Sequence, residues 1–265
     1  MIKAIQSVLP EDFPWKDHIH WFDTVDSTNT QAKRMGAQGA AHGTILIADS
    51  QTGGRGRLGR SFHSPGGSGI YLSILLRPNC HASQLMHLTC ATGVAVCNAI
   101  ESATGNRPGI KWTNDLVFGK RKLGGILTEL SLDSQGNVNH AVVGIGINCN
   151  QQISDFPEEI QQIATSLALQ TGTTVSRADV IATLLTALEV MSQDLLEKKA
   201  DLMQQYRKDC ITVGKEISLV SADSVRHGTA IGVDHDGALL VSFPDGHTEA
   251  VNSGEVSVRG MYGYI

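Results

Sequence analysis

The stretch "PGIKWTNDLVFGKRKLGGILTELSLDSQGNVNHAVVGIGINCN" (residues 108–150) reads as a run of β-strands broken by turns at Asn114-Asp115, Gly119 and Gln135-Gly136. Upstream, "IHWFDTV" (19–25), "GTILIADSQ" (43–51) and "GIYLSILLRP" (69–78) are three more strand candidates, the last stopped by Pro78. Between the first two lies a helix opened by the capping residues Asp26 and Ser27 and ending near Gly39. Residues 82–103, apolar at 85, 88, 96 and 100, suit a long buried helix. Residues 175–210 are strongly helical, with Ser176 as N-cap. Beyond Gly214 the texture changes. Residues 215–260 alternate as short strands with hairpin signals at Asp236-Gly237 and Asp245-Gly246. The fold class is therefore α+β: a mixed β-sheet domain with flanking helices over 1–212, and a small β-barrel domain over 213–265. The chain shows neither an internal repeat nor a low-complexity tail.

With 265 residues, 41% of them apolar, the chain is long enough for one large core and a satellite. Its net charge of −5 argues against a broadly basic nucleic-acid binder, so anion recognition must be local. The five cysteines, at 80, 90, 97, 149 and 210, lack CxxC spacing and suggest neither a disulfide framework nor a zinc site. Cys90 and Cys97 read as small core residues. The ten histidines form no HExxH or similar ligand cluster, so no metal ligand is assigned. The N-terminus is no signal peptide, and no apolar run approaches the roughly 18 residues of a membrane span. A soluble, cytoplasmic protein is the expectation.

One loop stands apart from this acidic background. "SQTGGRGRLGRSFHSPGGSG" (Ser50–Gly69) interleaves Arg55, Arg57 and Arg60 with glycines. Glycines let successive N–H groups converge on an anion, and guanidinium forks match phosphate or carboxylate oxygens. The loop is no Walker P-loop, because GxxxxGK[ST] is absent. GxGxxG can be read at Gly54, Gly56 and Gly59, but no helix follows, which argues against a dinucleotide fingerprint. Two readings stand: an RG-type surface loop touching RNA, or a loop that folds over a phosphate-rich ligand, excludes water and then releases product.

Three more segments join this loop: "KWTNDL" (111–116), "KLGGILTE" (122–129) and "GIGINCN" (144–150). With "DSTNTQAK" (26–33), the set resembles the biotin–protein ligases, also called biotin-[acetyl-CoA-carboxylase] ligases, in the family's order over about residues 20–150. The β-rich tail is similar to the family's C-terminal domain. The resemblance implies a biotin–lipoate-ligase-like, class II synthetase-like catalytic domain followed by an SH3-like barrel. It implies that biotin and MgATP give biotinyl-5′-AMP and pyrophosphate, and that biotin then passes to a lysine of a biotin carboxyl carrier protein. Mg²⁺ is expected to arrive with the ATP phosphates rather than in a protein cage.

Carried over residue by residue, the resemblance makes Lys111 the chief catalytic group, stabilising charge as a carboxylate attacks the α-phosphate; otherwise it is an ordinary lysine before a turn. Arg55, Arg57 and Arg60 would close on biotin and phosphate, with Arg57 taken as catalytic. Gly54 and Gly56 would give backbone approach, or serve the turn alone. Ser27, Thr28 and Asn29 match the family's STN segment near the biotin ring and adenylate, although Ser27 also suits a helix cap. Gln51 matches a position beside the ring. Gly144 and Gly146 would leave room for the bicycle, or for close packing; Asn148 would read adenine or phosphate, or end a strand. Phe62 stands where well-known members have tryptophan, and would stack on adenine. Lys122 would assist at the carboxyl–phosphate end. Leu58 and Thr113 depart from the family's common arginine and proline.

A lipoate or octanoate ligase shares the acyl-adenylate logic, but GRGRLGR with KWTND fits biotin better. About twenty residues precede the first strand, which is too few for a helix-turn-helix. The expectation is a single-function ligase without nucleic-acid or membrane partners, a monomer or weak homodimer. "KRKLGGIL" (120–127) is expected to offer a free strand edge to a carrier strand or to a second copy.

Overall fold

The computed structural model describes residues 1–221, 224–252 and 257–260. Seven strands, β1 (Ile19–Val25), β2 (Thr44–Gln51), β3 (Gly69–Leu76), β4 (Gly109–Lys111), β5 (Asp115–Phe118), β6 (Arg121–Leu132) and β7 (Val138–Asn148), make one sheet in the order β1-β2-β3-β7-β6-β5-β4. β1 and β2 are parallel, joined through helix; the other pairings are antiparallel. The helices are α1 (Ile2–Val8), α2 (Thr28–Ala37), α3 (Leu88–Thr104), α4 (Leu167–Thr171), α5 (Arg177–Asp194) and α6 (Lys199–Asp209). A second antiparallel sheet follows: β8 (Glu216–Val220), β9 (Val225–Val233), β10 (Leu239–Ser242), β11 (Thr248–Val251) and β12 (Ser257–Gly260), in the order β11-β10-β9-β8-β12. The mixed sheet with helices and the small antiparallel β unit are the α+β architecture that the sequence pattern predicts. The turns at Gly119, Gly136, Gly237 and Gly246 all have positive φ.

Strand alternation sorts the core onto two faces. Ile45, Ile47, Leu72, Ile74, Val143 and Ile145 join α3 and α5 in the main core. Residues of the opposite phase, Leu46, Leu75 and Val142, pack instead on Ala32 of α2. One face is thus covered by several helices and the other by α2 alone. Past α2, that thinly covered face carries cross-strand rows of smaller residues. Ser73, Gly144 and Leu127 are directly opposed on β3, β7 and β6, and Gly146, Gly125 and Asp115 on β7, β6 and β5. The cleft lies on this face.

Two local readings change. The predicted 175–210 helix is two helices, because the Leu195 carbonyl beyond α5 is engaged by His87 Nε2 at 2.7 Å, where the chain turns. Burial lowers the His87 pKa, in keeping with a neutral ring there. The basic stretch 120–127 is not a free edge. β6 lies between β5 and β7, and its Lys122 N donates to Ile163 O while its carbonyl accepts from Thr165 N. A carrier or second copy cannot add a strand there. Helix α1, packed on α5, went unpredicted.

A bidentate ion pair ties the segment before β4 to α6. Arg107 donates to both Asp209 oxygens at 2.8 and 2.6 Å, and the Asp209 side chain is only 7% exposed. The Asp209 hydrogen bonds, and Glu101 beside them, raise the Arg107 pKa. Arg107→Met leaves that carboxylate uncompensated, so unfolding should cost about 3 kcal/mol less. Thermal melting should show a midpoint roughly 6–10 °C lower; an unchanged midpoint would deny the pair any structural weight.

Candidate functional site

The β6 and β7 rows form the floor of a cleft of ≈ 990 Å³, open mouth included, roofed by the glycine–arginine loop. Ser27, Thr28, Asn29, Gln51, Arg55, Gly56, Arg57, Arg60, Phe62, Lys111, Lys122, Gly144 and Gly146 all line it. Residues scattered over 120 positions are brought together because β2, β3, β6 and β7 are neighbours and β4 and β5 fold back beside β6.

One end is neutral and tightly bonded. Thr28 donates through its N–H (2.9 Å) and hydroxyl (3.2 Å) to Gln51 Oε1, and Gln51 Nε2 donates to Ser64 Oγ at 3.0 Å. Ser73, its hydroxyl 2.7 Å from Thr28 Oγ1, donates to Asn29 Oδ1 at 2.6 Å. Asn29 Nδ2 donates to Leu127 O and to Glu129 Oε2. Ser27 occupies the N-cap position of α2 without a side-chain capping bond, and is buried against the cleft. The Thr28, Asn29, Gln51 and Ser73 side chains are each fixed by a neighbour, which is the preorganisation a specific polar pocket needs.

The other end is charged. Among the lining residues five side chains are basic (Arg55, Arg57, Arg60, Lys111, Lys122) and one, Asp115, is acidic. Lys111 sits at the end of β4, opposite Asp115, and is 7% exposed. Lys122 Nζ is 2.6 Å from Asp115 Oδ1. Arg57 donates to Asn114 Oδ1 at 2.9 Å, pinning the loop to the turn that follows Lys111. Burial lowers the Arg57 pKa, with Asp115 opposing. Arg55 reaches instead towards the Asn29 end, 3.8 Å from Glu129, which also pairs with Lys33 at 2.7 Å. Burial raises the Glu129 carboxyl, but the hydrogen bonds from Lys33 and Asn29 outweigh it and hold it below the ordinary value. The loop itself is a zipped hairpin: Gly56 N donates to Arg60 O, and Phe62 N to Gly54 O. Leu58 at its tip takes φ +54°, a left-handed conformation unusual for a leucine.

Gly54 and Asn148 do not line the cleft. A Cβ at Gly54 would sit 2.3 Å from the Phe62 carbonyl, so this glycine lets the two arms of the loop touch. Asn148 continues the alternation of Gly144 and Gly146, but its amide donates to Thr165 O and is buried under that segment. The space over the two cleft glycines is filled by protein: Asn29 lies against Gly144, and the Phe62 ring against Gly146. Among the described residues, no group of three or more His, Cys, Asp or Glu side chains is placed to hold a metal ion, and no helix is long and apolar enough to cross a membrane.

The small sheet reaches this site. Val258 of β12 lines the cleft, and Trp112, next to Lys111, donates its indole N–H to the Gly237 carbonyl at 2.8 Å.

Residues 21–148 match the biotin/lipoate A/B protein ligase family, and residues 212–259 match the biotin protein ligase C-terminal domain. The chain is 35% identical over 230 residues to the bifunctional ligase/repressor BirA of Bacillus spizizenii, covering 86% of this chain and 70% of that one. It is 31% identical over 237 residues to the biotin–[acetyl-CoA-carboxylase] ligase of Mycobacterium tuberculosis, covering 87% and 85%. The chain belongs to the biotin protein ligase family. Its fold superposes on the biotin protein ligase of Aquifex aeolicus, solved with biotin and ATP, with a TM-score of 0.77 and 33% identity over 91% of this chain and 98% of that one.

Sequence reading of this ligase missed Ser73 and Glu129. Ser73 is a single hydroxyl inside the apolar run "GIYLSILL"; its placement opposite Gly144 is visible only once β3 pairs with β7. Glu129 closes the quoted "KLGGILTE" motif, but its three partners come from α2 and the loop.

Proposed function

We propose that the protein activates biotin with ATP and transfers it to a lysine of a biotin carrier domain. The supporting observation is the division of one cleft into a neutral, hydrogen-bonded end and a strongly cationic end within a chain of net charge −5. The neutral end, around Ser27, Thr28 and Gln51, suits the uncharged ureido head of biotin. The cationic end suits a carboxylate meeting a triphosphate. In the first step a biotin carboxylate oxygen attacks the α-phosphorus, the bond to the β-phosphate oxygen breaks, and pyrophosphate leaves. Lys111 and Arg57 would stabilise the charge that builds between the two anions, with Arg55, Arg60 and Lys122 neutralising the phosphates. Phe62 would offer its ring to adenine. Mg²⁺ enters on the ATP phosphates as part of the substrate. In the second step the carrier lysine, as the free amine, attacks the biotinyl carbonyl; AMP leaves, and the amine sheds its proton. The glycine–arginine loop would exclude water from the mixed anhydride between the two steps. We place the boundary between the catalytic and C-terminal domains at 212/213.

ATP–pyrophosphate exchange tests the reading. Exchange is expected with biotin and not with lipoate. Exchange with lipoate alone, or with neither acid, would overturn it.

A further inference from the structure

We propose that Tyr206 is a positioning residue for this cleft, acting through the backbone of the turn that carries Lys111; the inference rests on the proposed adenylation. Tyr206 lies on α6, is fully buried, and is absent from the cleft lining, so it does not touch substrate. Its hydroxyl donates to the Thr113 carbonyl at 3.0 Å. The Cys90 and Cys210 thiols surround the phenol, and burial pushes its pKa well up, so it remains a neutral donor.

The turn has two sides. Facing the cleft, Asn114 Nδ2 donates to Ile126 O at 3.0 Å and Asn114 Oδ1 accepts from Arg57. Behind it, Tyr206 holds Thr113, Thr212 Oγ1 accepts from Trp112 N at 2.9 Å, and Ile211 N donates to Ile110 O at 2.9 Å. β4 has only three residues and is the last strand of its sheet, so its own ladder fixes Lys111 weakly. The clasp from α6 and the segment after it supplies the missing constraint. Within it, Tyr206 is the side chain that grips the peptide oxygen two residues beyond Lys111. Charge stabilisation by a lysine falls steeply with misplacement, so loosening this grip should show in turnover rather than in substrate affinity.

Tyr206→Phe removes the donor and keeps the ring. It should lower kcat for biotin-dependent ATP–pyrophosphate exchange about tenfold, with the KM values for biotin and ATP changed less than about twofold. Backbone amides of residues 112–116 should exchange hydrogen faster in the unliganded variant. Ile5→Val on α1 is the control, a buried change of similar stability cost with unchanged kcat and unchanged amide exchange at 112–116. Wild-type kcat in Tyr206→Phe, or a kcat loss that Ile5→Val shares, would overturn the inference. A wild-type protein without biotin-dependent exchange would count against the proposed function instead. In that event the amide exchange alone decides: faster exchange supports the positioning role, and an unchanged rate overturns it.

Discussion

Lys111→Met should reduce biotin-dependent ATP–pyrophosphate exchange by about two to three orders of magnitude while the protein stays folded. Lys111 is the most buried of the five cations that line the cleft, at 7% exposure, and burial is what makes a charge count. Arg55, by contrast, has a side chain half exposed to water, where its field is screened. Methionine keeps the apolar stem of Lys111, so packing beneath the turn survives and thermal midpoints of variant and wild type should agree within a few degrees. The KM for biotin should move little, because the ammonium is assigned to charge that develops as the carboxylate attacks phosphorus, not to the ureido head. Lys111→Arg should recover part of the rate at best, since a planar fork places its charge differently from an ammonium. A Lys111→Met enzyme with near wild-type kcat would remove Lys111 from the chemistry and shift the burden to Arg57, which is anchored to Asn114 three residues further on.

That the same lysine and loop stand out in the sequence has a physical reason. Arginines among glycines in an acidic chain are a local signal, and so is a lysine before an Asn-Asp turn; neither needs a partner strand to be seen. Period-two alternation likewise exposes Gly144 and Gly146 as one face of β7. It does not show where that face stops being open, and Asn148, in phase with both glycines, is roofed by the segment around Thr165. Nor does it show which strands are edges. The basic stretch before Gly124 looks like an exposed strand until the 163–165 segment is found bonded to Lys122 on both its N–H and its carbonyl. Residues that act across the sheet were the hardest to read. Ser73 and Tyr206 sit in unremarkable local sequence and Glu129 only ends a quoted motif, and each acquires its meaning from a residue at least forty positions away.

Gly144→Ala should lower both stability and biotin binding, because the glycine is bare for a reason other than ligand space. A Cβ there would meet Asn29 Oδ1 at 2.0 Å, Cγ at 2.7 Å and Nδ2 at 3.0 Å. Asn29 has little room to retreat. It is 4% exposed, its oxygen accepts from Ser73, and its nitrogen donates to Leu127 O and Glu129. Moving it strands two buried polar groups and overpacks the floor, for a combined cost of about 2–4 kcal/mol. The KM for biotin should rise by more than about tenfold, since the Ser73–Thr28–Gln51 network loses its neighbour at the same time. The double variant Asn29→Ala, Gly144→Ala separates the two effects. Alanine at 29 removes all three clashing atoms and suits the first turn of α2, so the overpacking is relieved, but Ser73, Leu127 O and Glu129 each lose a partner and only part of the lost stability should return. Biotin KM should stay high, because the amide that fixes the neutral end of the cleft is gone. Full recovery of KM in the double variant would show that Asn29 serves only to fill space over Gly144, and that biotin is held elsewhere along the cleft.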